Sequence, residues 1–313
     1  MRRLEQLSKD YHPYTSIIRI QQVDDMERKK IALVLSSGGA RGFAHIGVIN
    51  ELLRHDYLIT SIAGTSMGAV VGGMYATGQL KQFEEWVSSL DVMEVLKLTD
   101  ISISNKGLVK GNRIIKKLKE LVPDRNIEDL PIPFCTVATD IVKGTELVFT
   151  EGNLYDAIRA SISIPTVFQP FKISDSYYVD GGVLNPVPIN RVKRHEKDML
   201  VVVDVNAQIP AEKKETTDKK QNDNKYLKQL KSMQNKLGNI IPKNKKDDIG
   251  LFNLTTRSIS LMLHQISVLT IEKNEPDLLI NVSKHAFGTF DFYKAKEIIT
   301  EGEKAAKKAL ELK

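Results

Sequence analysis

The chain has 313 residues, 42% hydrophobic and 27% charged, which is enough for one or two domains with a sizeable core and unlike a disordered or collagenous composition. Its single cysteine, Cys135, excludes an internal disulfide framework and a multi-cysteine zinc site. The net charge of +6 is local: residues 212–248 hold 11 lysines against 6 acids, so the remaining chain is almost balanced and carries no basic footprint for nucleic acid.

Residues 1–28 are polar and irregular, with a short strand expected at 16–20, and read as an N-terminal arm. They contain no apolar stretch of signal-peptide length, so the expected location is the cytoplasm. IALVL at 31–35 is a continuous β-branched run bounded by SSGG, as a buried parallel strand requires. Phe43, Ile46, Ile49 and Leu53 then recur three and four apart, predicting a helix over 42–55. A second buried strand is expected at 58–63 and a helix at 67–78. The uncharged stretch 57–80 is long enough to raise a membrane span, but its five glycines and five Ser/Thr make it too polar for one.

Helices follow at 80–90 and 112–121, a strand at 134–139, and a hairpin over 171–179 turning at Ser174-Asp175-Ser176. Apolar strands are expected at 199–205 and 277–282, and a closing helix at 291–312. Strands alternating with amphipathic helices predict an α/β protein with a mostly parallel sheet covered on both faces. Residues 29–313 thus form one domain, interrupted by a lysine-rich insertion at about 208–248. Within that insertion Tyr226, Leu230, Met233, Leu237 and Ile240 recur at helical spacing among lysines, so a basic amphipathic helix and a solvated loop both stay open.

Gly64-Thr65-Ser66-Met67-Gly68 matches G-x-S-x-G directly after a strand and before a helix. A serine on such a turn has its hydroxyl pushed clear of the sheet, and the flanking Gly64 and Gly68 avoid collisions; as a bare pattern the motif fits a merely structural turn equally well. Ser36-Ser37-Gly38-Gly39-Ala40-Arg41-Gly42 occupies the matching place after the first strand. Ser37 stands where a dinucleotide loop needs its first glycine, no acid ends the second strand, and no Gly-Lys-Ser/Thr follows for a P-loop. An oxyanion hole beside Ser66 fits both loops. For a Ser-His-Asp triad the downstream histidines are His195, His264 and His285, none convincingly placed, and His45 reads as packing. Asp180-Gly181-Gly182, an acid followed by two glycines at a strand end, also stands out, and a simple turn accounts for it as well.

SSGGARGFAHIGV (36–48), GTSMGA (64–69), ASISIPTVFQPF (160–171) and DGGVLNPVP (180–188), in this order, resemble bacterial patatin-like phospholipases. The resemblance covers about 31–205, with weaker similarity in EGEKAAKKAL near the end, and leaves out the arm and the insertion. It implies a three-layer α/β/α sandwich and a Ser-Asp dyad acyl hydrolase acting on ester bonds of phospholipids or lysophospholipids, without a triad histidine, cofactor or catalytic metal. Residue by residue, Ser66 matches the family nucleophile and Asp180 its base. Gly38, Gly39, Ala40 and Arg41 match the oxyanion loop, with Ser37 in place of the first of three glycines and Arg41 as a brace. Gly181 and Gly182 complete the acid loop. An acyltransferase or thioesterase could use the same dyad, and a non-catalytic lipid-binding regulator would need neither Ser66 nor Asp180. Peripheral contact with the inner face of an anionic membrane is a further expectation, carried by the insertion.

Overall fold

The computed structural model describes residues 28–98, 110–165, 167–211 and 251–312. The expected arm, apart from Arg28, and nearly all of the lysine-rich insertion with its candidate helix lie outside the described residues.

Five strands run parallel, in the order β3 (Phe134–Asp140), β2 (Tyr57–Thr65), β1 (Lys29–Leu35), β7 (Met199–Ala207) and β8 (Leu278–Ser283). Three short antiparallel strands extend the β3 edge: β4 (Thr145–Phe149), β5 (Phe171–Ile173) and β6 (Ser176–Asp180). The helices are α1 (Ala44–Arg54), α2 (Met67–Ala76), α3 (Leu80–Ser89), α4 (Val92–Leu98), α5 (Asn112–Leu121), α6 (Leu154–Ser161), α7 (Leu251–Asn274) and α8 (Ala295–Glu311).

The strand alternation sorts the core into two layers. Ile31, Leu33 and Leu35 of β1 and Val201 and Val203 of β7 face a large cluster that includes Ile46, Ile49 and Leu52 of α1 and Ile298 and Ile299 of α8. Val34, Leu200 and Val202 point the other way, onto Val187, Ile189 and Ile271 of α7. Both faces of the sheet are covered, which explains the uninterrupted apolar runs of β1 and β7. The fold is therefore the expected three-layer α/β sandwich.

On the first face α1 and α8 approach at the level of their backbones. A Cβ on Gly302 would lie 2.0 Å from the carbonyl oxygen of Ala44, and one on Gly47 2.0 Å from that of Ile299. No larger residue fits either position.

The register of β3 places the ends of two other strands head to head. β4 pairs with β3 over 136–140, so β2 (134–137) and β6 (138–140) must share the opposite side. Thr65, the last residue of β2, pairs with Val137, and Asp180, the last of β6, with Ala138. The residue after Thr65 is thereby delivered next to Asp180.

Candidate active site

Ser66 follows β2 and precedes α2, with φ 56° and ψ −121°. Positive φ is costly for a residue with a side chain, and this turn is held from several directions. The Ser66 N–H donates to Oγ of Ser161 (2.9 Å), which also accepts from Oγ1 of Thr136 (3.0 Å). α2 can start this close to the sheet because of Gly68, where a Cβ would lie 2.3 Å from the carbonyl oxygen of Leu35 at the end of β1. Gly64 sits on the strand side of the same turn, against the backbone of Gly68.

The Ser66 hydroxyl donates to Oδ2 of Asp180 at 2.5 Å. The other carboxylate oxygen, Oδ1, accepts the N–H of Gly182 (2.7 Å), while the Asp180 N–H donates to the carbonyl of Ser163 (2.9 Å). Gly181 packs against the Val137 carbonyl and Gly182 against Ser37. Both Ser66 and Asp180 are buried. Burial pushes the Asp180 carboxyl up from its ordinary 3.8 to about 6, against the lowering effect of its bonds from Ser66 and Gly182. A carboxylate with that pKa is a better proton acceptor than an exposed aspartate and is still ionised at neutral pH.

The loop after β1 lies beside this pair. Gly39 has φ +57°, and a Cβ there would lie 2.6 Å from the Thr289 carbonyl oxygen. The Ala40 N–H donates to that same carbonyl (2.8 Å) and the Ser37 N–H to the carbonyl of Pro186 (2.8 Å). The N–H groups of Gly38 and Gly39 have no such backbone acceptor among the described residues. Ala40 thus anchors the loop rather than offering its N–H to the site.

Arg41 braces the loop from behind. Its guanidinium reaches Oδ1 of Asn206 through Nη2 (2.7 Å) and Nε (3.3 Å), and Oγ1 of Thr289 through Nη1 (3.0 Å). Asn206 in turn donates through Nδ2 to the carbonyl of Ser37 (2.5 Å). This ties the loop to the end of β7 and to the segment between β8 and α8.

No histidine among the described residues bonds Ser66 or Asp180. His45 is buried, donates through Nε2 to the carbonyl of Ser36 (2.9 Å), and is held neutral because burial lowers its pKa to about 4. His195 lies before β7, at the other end of the sheet, His264 lies within α7, and His285 is an exposed residue after β8. Cys135 is equally unsuited to chemistry, its thiol pushed up to about 12 by burial. Among the described residues no group of three His, Cys, Asp or Glu is gathered to hold a metal ion.

Sequence reasoning overlooked Ser161, Thr136, Asn206 and Thr289. Of these only Ser161 lies within a motif, ASISIP, whose serines hint at a polar role beside an apolar core.

A mostly parallel α/β sheet with a serine at a strand-to-helix elbow, bonded to an aspartate at the end of a neighbouring strand, defines a serine-aspartate elbow protein. A family model for patatin-like phospholipase matches residues 33–192, and the chain belongs to that family. An uncharacterised NTE family protein of Mycobacterium tuberculosis is 44% identical over 177 residues, 56% of this chain and 49% of its own length. A second from the same species is 31% identical over 182 residues, 56% of this chain and 30% of its own. Lysophospholipase NTE1 of Debaryomyces hansenii is 28% identical over 216 residues, 64% of this chain and 14% of its own. The chain therefore spans about half the length of the first of these relatives and less of the others.

Proposed function

We propose that this chain is a lipid acyl hydrolase that cleaves carboxylic ester bonds of phospholipids or lysophospholipids, with Ser66 as nucleophile and Asp180 as base. The observation that carries the reading is the 2.5 Å bond between the Ser66 hydroxyl and a carboxylate raised to about 6. Membership of a phospholipase family and similarity to a protein named lysophospholipase favour a lipid substrate.

In the first half of the reaction Ser66 Oγ attacks the ester carbonyl carbon and its proton passes to Oδ2 of Asp180. The carbonyl oxygen becomes an oxyanion facing the N–H groups of Gly38 and Gly39, with the N-terminus of α2 adding positive potential. As the carbon–oxygen bond breaks, the leaving alcohol takes the proton from Asp180 and an acyl-serine remains. In the second half Asp180 removes a proton from water, the resulting hydroxide attacks the acyl-serine, and the fatty acid leaves as Ser66 regains its proton. Burial helps Asp180 in both halves, since a carboxyl raised to about 6 is a stronger base toward serine and water than an ordinary aspartate and is still acidic enough to protonate the leaving alkoxide.

The expected domain arrangement belongs to the same proposal: residues 29–313 form the catalytic domain, and the insertion brings it to anionic lipid. Hydrolysis of lysophospholipid, phospholipid and soluble short-chain esters by the purified protein tests the reading. Ester cleavage lost in Ser66→Ala supports it; cleavage retained in Ser66→Ala refutes it.

A further inference from the structure

Arg159, in the last turn of α6, is a buried cation, 6% exposed, with no carboxylate in ion-pair reach among the described residues. Its guanidinium is held by neutral oxygens. Nη1 donates to Oγ of Ser163 (2.6 Å), and Nη2 to the carbonyls of Lys110 (2.6 Å) and Gln169 (3.0 Å). The rings of Phe168 and Phe171 lie 5.9 and 5.5 Å from it. Nε is buried and finds no acceptor among the described residues. A Cβ on Gly111 would lie 3.1 Å from it and 3.2 Å from the Phe168 ring, so the glycine lets the backbone pass close beside the guanidinium.

Burying a charge without a counter-charge opposes folding, and what the charge holds is the segment on which both reacting residues hang. Ser161 accepts the N–H of Ser66 and the Ser163 carbonyl accepts the N–H of Asp180, while the Ser163 hydroxyl donates back to the carbonyl of Arg159 (2.7 Å). A shift of this one segment would move both ends of the 2.5 Å Ser66–Asp180 contact.

We propose that Arg159 is a positioning residue for the Ser66–Asp180 pair, its guanidinium fork pinning the segment after α6 so that the serine hydroxyl and the carboxylate stay in register. The inference rests on the hydrolase reading above. Arg159 touches neither reacting atom and acts only through Ser161 and Ser163. Three bonds in fixed directions need a planar fork, which the single ammonium of lysine cannot supply.

The test combines fluorophosphonate labelling of Ser66 with turnover of a soluble short-chain p-nitrophenyl ester, on folded protein verified by thermal unfolding. Arg159→Met and Arg159→Lys should each lower kcat and the labelling rate by about tenfold or more, with KM nearly unchanged, the scale on which small misplacements act. Full activity in Arg159→Lys would overturn the proposal, since charge alone would then suffice. A raised KM with parental kcat would also overturn it, by making Arg159 a substrate contact. If both variants unfold, Ser163→Ala removes one arm of the fork and should lower kcat several-fold; parental kcat there overturns the positioning role. A parent protein that does not label at Ser66 overturns the hydrolase reading and this inference with it. Labelling of the parent with variants labelling equally fast overturns this inference alone.

Discussion

Ser66 occupies an unfavourable backbone conformation, and the compensation is visible in the N–H bond to Ser161 and in the hydroxyl held by Asp180. Ser66→Ala and Asp180→Asn should each reduce ester hydrolysis to background, and the double variant should be no worse than either, because the two act as a unit. Alanine at His195 or His285 should leave turnover intact, since neither approaches the pair; a dead and folded His285→Ala would require a triad instead. Asp180 must be ionised to accept the proton, so activity should rise with pH through about 6. The same shift costs stability. With its folded pKa above the ordinary 3.8, the native state holds a proton that the unfolded chain has released, so stability falls as pH rises from about 4 to about 6. Asp180→Asn, neutral at every pH, should therefore unfold at a higher temperature than the parent at pH 8, by up to about 3 kcal/mol in stability, and lose that advantage near pH 4. Equal unfolding curves at pH 8 would contradict the burial of an ionised carboxylate.

The loop between β1 and α1 is fixed from behind by Thr289, Asn206 and Arg41, and the proposed mechanism asks its N–H groups to hold the oxyanion. Gly39→Val places a side chain against Thr289 at a left-handed φ, and should cut kcat by about 100-fold with less change in KM, the usual scale for losing a positioned donor. Equal kcat with weakened KM would make the loop a docking surface. At the α1–α8 crossing, Gly302→Ala forces the two backbones apart and should destabilise the fold by about 2 kcal/mol without altering the site, read as a lowered Tm. Elements with strong local patterns are legible in the amino-acid sequence: β1 from its apolar run, α5 at 112–121 to the residue, and the hairpin from its Ser-Asp-Ser turn. β4 and α6 are not. β4 is a five-residue strand at an extended edge with no buried residue, so no alternation marks it. α6 has only eight residues, about two turns, so the helical spacing of Leu154, Tyr155, Ala157 and Ile158 is too short to stand out, and Arg159 and Ser161, polar in sequence, are buried with them. The elbow is legible because strand, serine and helix adjoin in sequence. Its pairing with Asp180, 114 residues away, follows from the shared register along β3, which no local pattern encodes. Local spacing alone leaves Asp180 a candidate turn, and the family resemblance, not the residues themselves, singles it out.

On the scale of the whole molecule, the site lies at the ends of β2 and β6 where the parallel sheet gives way to antiparallel strands, and no described helix is long and apolar enough to cross a membrane. Most of the net positive charge sits in 212–248, away from Ser66 and Asp180. Each lysine near an anionic surface contributes up to about 1 kcal/mol and is screened within a Debye length. Binding to anionic vesicles should therefore be strong at low salt, weak at high salt, and lost on deletion of 212–248. That deletion spares Ile209, whose carbonyl accepts from Ser283, and soluble-ester turnover serves as its folding control. Vesicle binding equal to the parent would reduce the insertion to a solvated loop.

The central claim is that Ser66 is a nucleophile activated by Asp180 alone, and the pH dependence of fluorophosphonate labelling tests it most directly. The serine displaces fluoride from phosphorus and gives its proton to the base, so the rate reports the pair without depending on which lipid is the substrate. Labelling should map to Ser66, rise to half its maximum near the pKa of about 6 set by the buried carboxylate, and fall to background in Asp180→Asn. Labelling at another residue, or at Ser66 with an undiminished rate in Asp180→Asn, would contradict it.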